Sequence, residues 1–209
     1  MPLSFPSSSV AIRIVEEHKH LGVIIDSKLS WSPHVQYVCK RTSSILGALQ
    51  AHCRHLPLSC KRLFYRCYIL PLLDYCDTAW SGITTTVLNK LETHNRMLLK
   101  ILFSKDRRFP SASLYEIAKI SPLSTRHKYH LCVLIHKILL NKIPLHMQAY
   151  NWFSETRNTR NSLSLPRAAS TLFTRSPIFA GYVFWATLPT QAKTSTSMDN
   201  FVAKISAQL

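Results

Sequence analysis

Glycine is scarce in this sequence, with four residues in 209. Doubly wound nucleotide-binding folds spend glycines on their phosphate loops. Neither common Gly-rich phosphate-loop pattern is present, which argues against a nucleotide-binding enzyme of those types. Closely spaced cysteine pairs are missing too: among Cys39, Cys53, Cys60, Cys67, Cys76 and Cys132 no two are spaced Cys-x-x-Cys. No apolar run approaches the roughly 20 residues that a membrane span needs. The opening MPLSFPSSSV has no basic region followed by an apolar stretch, so it does not read as a secretory signal. These absences lead us to expect reduced, mostly buried thiols in a chain that stays inside the cell, in nucleus or cytoplasm, with no membrane partner.

Acidic residues are the other shortage. Ten Asp and Glu stand against 26 Lys and Arg, a formal charge of +16. An excess of this size concerns partners rather than fold, and nucleic acid is the commonest acidic partner. The rival reading is a basic protein with no specific partner. At 46% hydrophobic residues, the chain can build one real core or two small ones.

Residues 1–10 read as a loose Pro/Ser lead-in. The apolar runs Ala11–Val15 and Leu21–Ile25 flank polar Glu16–His20 and predict a pair of short strands. Gly22 in the second run marks a bend or a close backbone contact. After Trp31 the period becomes helical. Ser32 and Pro33 form a start signal, and Val35, Val38, Ile45, Leu46, Leu49 and Cys53 mark one face of a helix over 33–52. A second helix is predicted from Ser59 to Trp80, with Leu63, Cys67 and Leu70 as its inner stripe and a kink at Pro71. A third spans Thr86–Phe103 on Leu88, Leu91, Leu98 and Leu102. Ser113-x-x-Glu116 reads as a capping box for a short helix to Ile120, and Pro122 opens a longer one to about Lys142.

From Ser154 to Ser197 the composition turns to Ser, Thr, Arg, Asn and Pro, with no acid between Glu155 and Asp199. That stretch is expected to be poorly packed or extended, apart from an aromatic patch at Phe179, Tyr182, Phe184 and Trp185. Phe201, Val202 and Ile205 mark a closing helix. The expected fold is thus mainly α: a small N-terminal β-hairpin, a helical bundle, and a basic, partly irregular C-terminal tail. Its segments would be 1–31, 32–104, 105–150 and 151–209. Trp31, Leu63, Tyr75, Trp80, Leu91 and Leu98 are the expected core of the first three helices.

Few residues arrange themselves for chemistry. Asp74 and Asp77 sit one helical turn apart and could share a face, but helical flanks do not suit a catalytic metal pair, so no metal is assigned. His52, Cys53, His55, Cys60 and Cys67 crowd one region, yet the seven-residue cysteine spacing fits helix packing better than zinc. No nucleophile elbow is present. The basic clusters carry more. Lys40 and Arg41 lie on the first helix, and Lys61, Arg62 and Arg66 on the second, with further groups at Lys105, Arg107 and Arg108 and at Arg126 to Lys128. A helix with an apolar stripe and a basic opposite stripe suits a duplex backbone; it also suits plain solvent.

Four blocks resemble the non-LTR retrotransposon reverse transcriptases, especially the jockey-like group. HKHLGVIIDSKLSWSPHV (His18–Val35) is similar to the family segment after the catalytic palm, through His20, Leu21, Gly22, Val23, Asp26, Leu29, Trp31 and His34. LPLLDYCDTAW (Leu70–Trp80) matches at Pro71, Leu73, Tyr75 and Trp80, with Asp74 where the family mostly has Glu. LETHNRMLLKI (Leu91–Ile101) is the third block. FAGYVFWATLP (Phe179–Pro189) followed by FVAKISAQL is the last, with Ala186 in place of the usual Asn.

The resemblance implies the last hairpin of the palm, a primer-grip-like turn at His20, Leu21, Gly22 and Val23, then a helical thumb and a C-terminal extension. It implies a fragment that is not an enzyme by itself, because the family's catalytic Tyr-x-Asp-Asp lies upstream of these blocks and is not in this sequence. No cofactor is then expected, since Mg²⁺ would sit in the missing palm. The implied partner is an RNA–DNA or DNA duplex, gripped without sequence preference through Lys40, Arg41, Lys61, Arg62 and Arg66; no small-molecule substrate is expected. The alternative class is a small basic helical protein that binds a protein or another acidic surface.

Overall fold

A computed structural model describes residues 14–53, 55–140, 154–155, 163–164 and 170–206. It is mainly helical, with an antiparallel hairpin at the N-terminal end followed by helices. Strands β1 (Glu17–His20) and β2 (Val23–Asp26) pair with His20 opposite Val23 and Glu17 opposite Asp26. Leu21 and Gly22 both have positive φ, 45° and 87°, as a tight two-residue hairpin turn of right-handed strands requires. The first strand is therefore the polar stretch itself. Ile14 and Val15, expected in it, are exposed and outside it, and residues 11–13 lie outside the described set. All of β1 is solvent-exposed, so no apolar alternation was needed to form it.

Helix α1 (Ser32–Cys53) follows at once. The loop before it is organised by buried Asp26, whose carboxylate accepts from the backbone amides of Ser30 (2.9 Å) and Trp31 (2.8 Å). Burial pushes this carboxyl up, but those amides outweigh burial and hold it below the ordinary aspartate value. Val35, Val38 and Leu46 are buried as the spacing predicts, while the Leu49 and Cys53 side chains lie outside the described set.

The second predicted helix is three pieces. Helix α2 (Leu58–Phe64) runs into a π-turn (Tyr65–Ile69) and then α3 (Leu70–Asp74). Within the π-turn the Leu70 amide bonds the Tyr65 carbonyl five residues back. Such a widened turn suits a proline just downstream, because Pro71 supplies no amide and its ring crowds the preceding turn. The helix ends at Asp74, and turns carry the chain to Thr84.

The inner face also differs from the expected one. Tyr65, Ile69 and Leu73 are buried, whereas Leu63 is 63% exposed and Cys67 is exposed. Trp31 is only partly buried against the core and Tyr75 is 48% exposed, so of the expected core set Trp80, Leu91 and Leu98 alone are fully buried.

Helix α4 (Thr85–Leu102) starts on the Thr84 hydroxyl, which accepts from the Val87 amide, and packs against α1. Helix α5 is Ser111–Ala118, two residues ahead of the predicted capping box, and ends at left-handed Lys119. Helix α6 (Leu123–Leu139) begins after Pro122 as expected. One core unites α1, the π-turn, α3, α4, α5 and the start of α6, with Leu114, Ala118 and Leu123 in it.

A second core forms on the far half of α6. Beyond the two-residue pair β3 (Ser154–Glu155) and β4 (Leu163–Ser164) come α7 (Thr171–Thr174), α8 (Pro177–Ala186), α9 (Thr190–Lys193) and α10 (Met198–Ser206). Cys132, Ile135, Ile138, Ile178, Trp185, Phe201 and Ile205 are buried together. The expectation of loose chain therefore fails for the helical residues of 170–197 on either side of the aromatic patch, while the excepted patch itself packs into this core through Tyr182, Phe184 and Trp185. Gly181 allows the close approach of α8, since a Cβ there would lie 2.8 Å from Ile135 Cγ1.

Candidate functional site

The five basic residues singled out in the sequence do not form one face. Lys40 and Arg41 are exposed on α1. Lys61 is buried. Arg62 is half-buried and donates from Nε to the Ile117 carbonyl at 2.6 Å; Arg66 donates from Nη2 to the Lys119 carbonyl at 2.8 Å. These two carbonyls belong to the C-terminal end of α5, where unpaired acceptors and the negative dipole end attract cations. The expected basic groove between α1 and α2 is thus corrected: the second helix directs its arginines at α5.

A different set of cations gathers at the hairpin. Lys19 Nζ and Arg41 Nη1 both donate to the Tyr37 hydroxyl, at 3.0 and 3.1 Å. Lys19 also lies over the Tyr37 ring, 4.3 Å from its centroid. The two cations favour the ionised phenol and hold Tyr37 below its ordinary value. Beside them a cleft of about 320 Å³ is lined by Leu21, Gly22, His34, Tyr37, Val38, Arg41, Leu72 and Tyr75. The primer-grip-like residues shape one wall. Gly22 sits against the Tyr75 ring, and the Tyr75 hydroxyl donates to the Leu21 carbonyl at 2.7 Å. His20 is exposed on β1 and Val23 is buried beneath. His34, 2% exposed, accepts from the Ile24 amide through Nδ1, so its other nitrogen carries the hydrogen. Burial lowers its pKa and keeps it neutral near pH 7.

The polar residues of the four blocks mostly tie elements together. Trp80 donates from Nε1 to the Tyr75 carbonyl at 3.0 Å. Asn95, fully buried, accepts from the Tyr65 hydroxyl at 2.6 Å. Glu92 accepts from the Tyr115 hydroxyl and from the Ser124 amide. Asp74 pairs with Arg126, and buried Asp77 pairs with His130. Asp74 terminates α3 and Asp77 lies in the following turn, so they do not share a helical face as their spacing predicts. Sequence reasoning missed His127 and His130, which join that pair from some fifty residues away. Their i, i+3 spacing on a helix was the available signal.

The thiols also depart from expectation. Cys60, Cys67 and Cys76 are exposed, Cys39 is half-buried and Cys132 is buried. Within the proposed His/Cys crowd, the side chains of His52 and Cys53 lie outside the described residues, and His55, Cys60 and Cys67 are exposed. Among the described residues no helix is long and apolar enough to cross a membrane. No family model, no curated protein and no solved structure matches this chain.

Proposed function

We propose that this chain is the C-terminal part of a retrotransposon reverse transcriptase, which contacts a primer–template duplex without sequence preference and makes no bond itself. The reading rests on the four sequence blocks in their family order. Its supporting observation in the fold is the convergence of Lys19 and Arg41 on one tyrosine beside the His20–Val23 turn. Among the described residues, the one salt bridge formed by a Lys or Arg is Arg126–Asp74. Exposed Lys19, Lys40 and Arg41 have no carboxylate partner, so their charge is available to a polyanion, which gains chiefly by releasing its counterions. The contact set is therefore Lys19, Lys40 and Arg41; Arg62 and Arg66 serve the fold. The test is fluorescence anisotropy of a labelled RNA–DNA duplex at several salt concentrations. Steep salt dependence that weakens in a Lys40→Glu/Arg41→Glu variant supports the reading.

One observation favours the alternative of a protein partner. Leu63, Tyr68, Cys60 and Cys67 are exposed along α2 and the π-turn, and apolar side chains gathered on a surface mark contact sites. A chain with no salt-dependent duplex affinity that binds a protein through this face would replace the first reading.

A further inference from the structure

A cavity of about 260 Å³ lies between the turn before α4, the start of α6 and the α7–α8 segment. Two residues of its wall, Ser81 and His127, carry buried polar atoms without a hydrogen-bond partner, Oγ and Nε2. Buried polar groups are normally paired, so two orphans in one wall point to an occupant. His127 is 9% exposed, and its other nitrogen, Nδ1, is turned to Asp77 at 3.8 Å. Asp77 is not in the wall, so the ring edge left to the cavity is the one that carries Nε2. Burial lowers the His127 pKa more than Asp77 raises it, which keeps the ring neutral near pH 7. The carboxylate beside Nδ1 favours the hydrogen there and leaves Nε2 an acceptor.

The wall grades from floor to rim. His127 and Gly82 are buried, Ser81 and Ser124 half-buried, and Lys128 exposed. Lys128 Nζ is held over the Phe184 ring, 5.3 Å from its centroid. Arg175 is the second cation of the wall. Its backbone comes in close because position 82 is glycine, where a Cβ would stand 2.5 Å from the Arg175 carbonyl oxygen. Among the described residues no Asp or Glu lines the cavity, while Ile83, Leu88 and Leu131 give it apolar sides.

We infer that this cavity binds a small phosphate ester with a hydroxyl-bearing body, of the size of a pentose phosphate. The phosphate sits at the rim, where the charges of Lys128 and Arg175 match the charge of about −1.5 to −2 on such a group. The hydroxyls of the body reach the floor, where one donates to His127 Nε2 and another pairs with Ser81 Oγ. The volume lies just below the roughly 300–1,000 Å³ of pockets for drug-sized ligands, which suits a sugar phosphate better than a larger molecule. This inference rests on the cavity alone and stands or falls separately from the reverse-transcriptase reading.

The test is calorimetric titration of the full chain with ribose 5-phosphate at about 0.15 M salt, which screens diffuse anion binding. Inorganic phosphate and ribose are the parallel probes. The expected result is one saturable site that takes the sugar phosphate at least about tenfold tighter than either half alone, and a Tm raised by the ligand. Lys128→Met should weaken binding about tenfold or more, as loss of a charge-assisted bond does. Lys137→Met, an equal change of charge at an exposed position of α6 outside the wall, should not. Ser81→Ala should lose about tenfold for the sugar phosphate. Its Tm without ligand should not fall, because an orphaned hydroxyl does not stabilise the empty fold. No saturable binding by the folded chain at millimolar sugar phosphate overturns the inference and leaves the cavity to water. Binding no tighter than that of inorganic phosphate overturns it too, as an anion contact at the rim only. So do equal losses in Lys128→Met and Lys137→Met, or undiminished affinity in folded Ser81→Ala.

Discussion

Replacing Arg62 and Arg66 together by Met separates a structural role from a ligand-binding one. Both guanidinium groups donate to the last carbonyls of α5, at 2.6 and 2.8 Å. Arg62 is half-buried, so its loss removes a charge-assisted hydrogen bond worth about 1.5–2 kcal/mol. Arg66 is exposed and its bond is screened by water, adding about 0.5 kcal/mol. Met keeps most of the apolar stem, so packing changes little. The sum is about 2 kcal/mol of stability, because the helix end loses both partners. Urea unfolding followed by far-UV circular dichroism measures this as a lower midpoint at unchanged slope. Duplex affinity per folded molecule should fall only modestly, as two units of net charge are removed. Undiminished stability combined with a collapse of duplex binding would refute the assignment and return both arginines to the nucleic acid.

Further predictions address the cores and the titrating groups. Trp80→Ala should cost about 3–5 kcal/mol, as for large core aromatics, since Trp80 is 1% exposed and packs edgewise on His34; a loss below about 1 kcal/mol by urea titration would contradict that packing. Native alkylation should modify Cys60, Cys67 and Cys76 quickly. Cys39 and Cys132, both pushed up to about 11 by burial, should react slowly, as mass spectrometry of timed samples can show. Burial lowers the pKa of His34 and of His94 below the free value of about 6.5. Their contribution to stability is therefore complete above about pH 6.5 and is lost as pH falls toward the lowered values. The drop in urea midpoint between neutral and mildly acidic buffer should shrink in His34→Gln; an equal drop in both proteins would exclude His34 as a source.

The long helices were legible because their local signals agree. Ser32-Pro33 and Pro122 mark starts, and stripes of period 3.6 mark the inner faces of α1 and α4. The second helix misled because both of its faces are apolar. Leu63, Cys67 and Leu70 compete with Tyr65, Ile69 and Leu73, and a π-turn shifts the phase midway. The first strand was hidden because every residue from Glu17 to His20 faces water, leaving no hydrophobic period to read. At the candidate site, the basic residues of α1 were found, but Lys19 was passed over as part of a polar linker. Arg62 and Arg66 could not be placed, since their acceptors are backbone carbonyls some fifty residues on. Tertiary neighbours of that kind leave no mark on local spacing; the i, i+3 spacing of His127 and His130 was visible, but their meeting with Asp77 was not.

The proposed function places duplex contact at the hairpin end of α1. Anisotropy of a labelled RNA–DNA duplex, measured across salt for the native chain and for Lys40→Glu/Arg41→Glu, tests it most directly. Removing one cation that neutralises a phosphate should lower the slope of log affinity against log salt by about one unit. The slope of the double variant should be lower by about two units, with similar weakening for unrelated duplex sequences. The same double change at exposed Arg107 and Arg108, of equal charge but beyond the end of α4, should leave the slope nearly as it was. Equal reductions at both places would mean that net charge alone governs binding, and would contradict a duplex site at this end of the molecule.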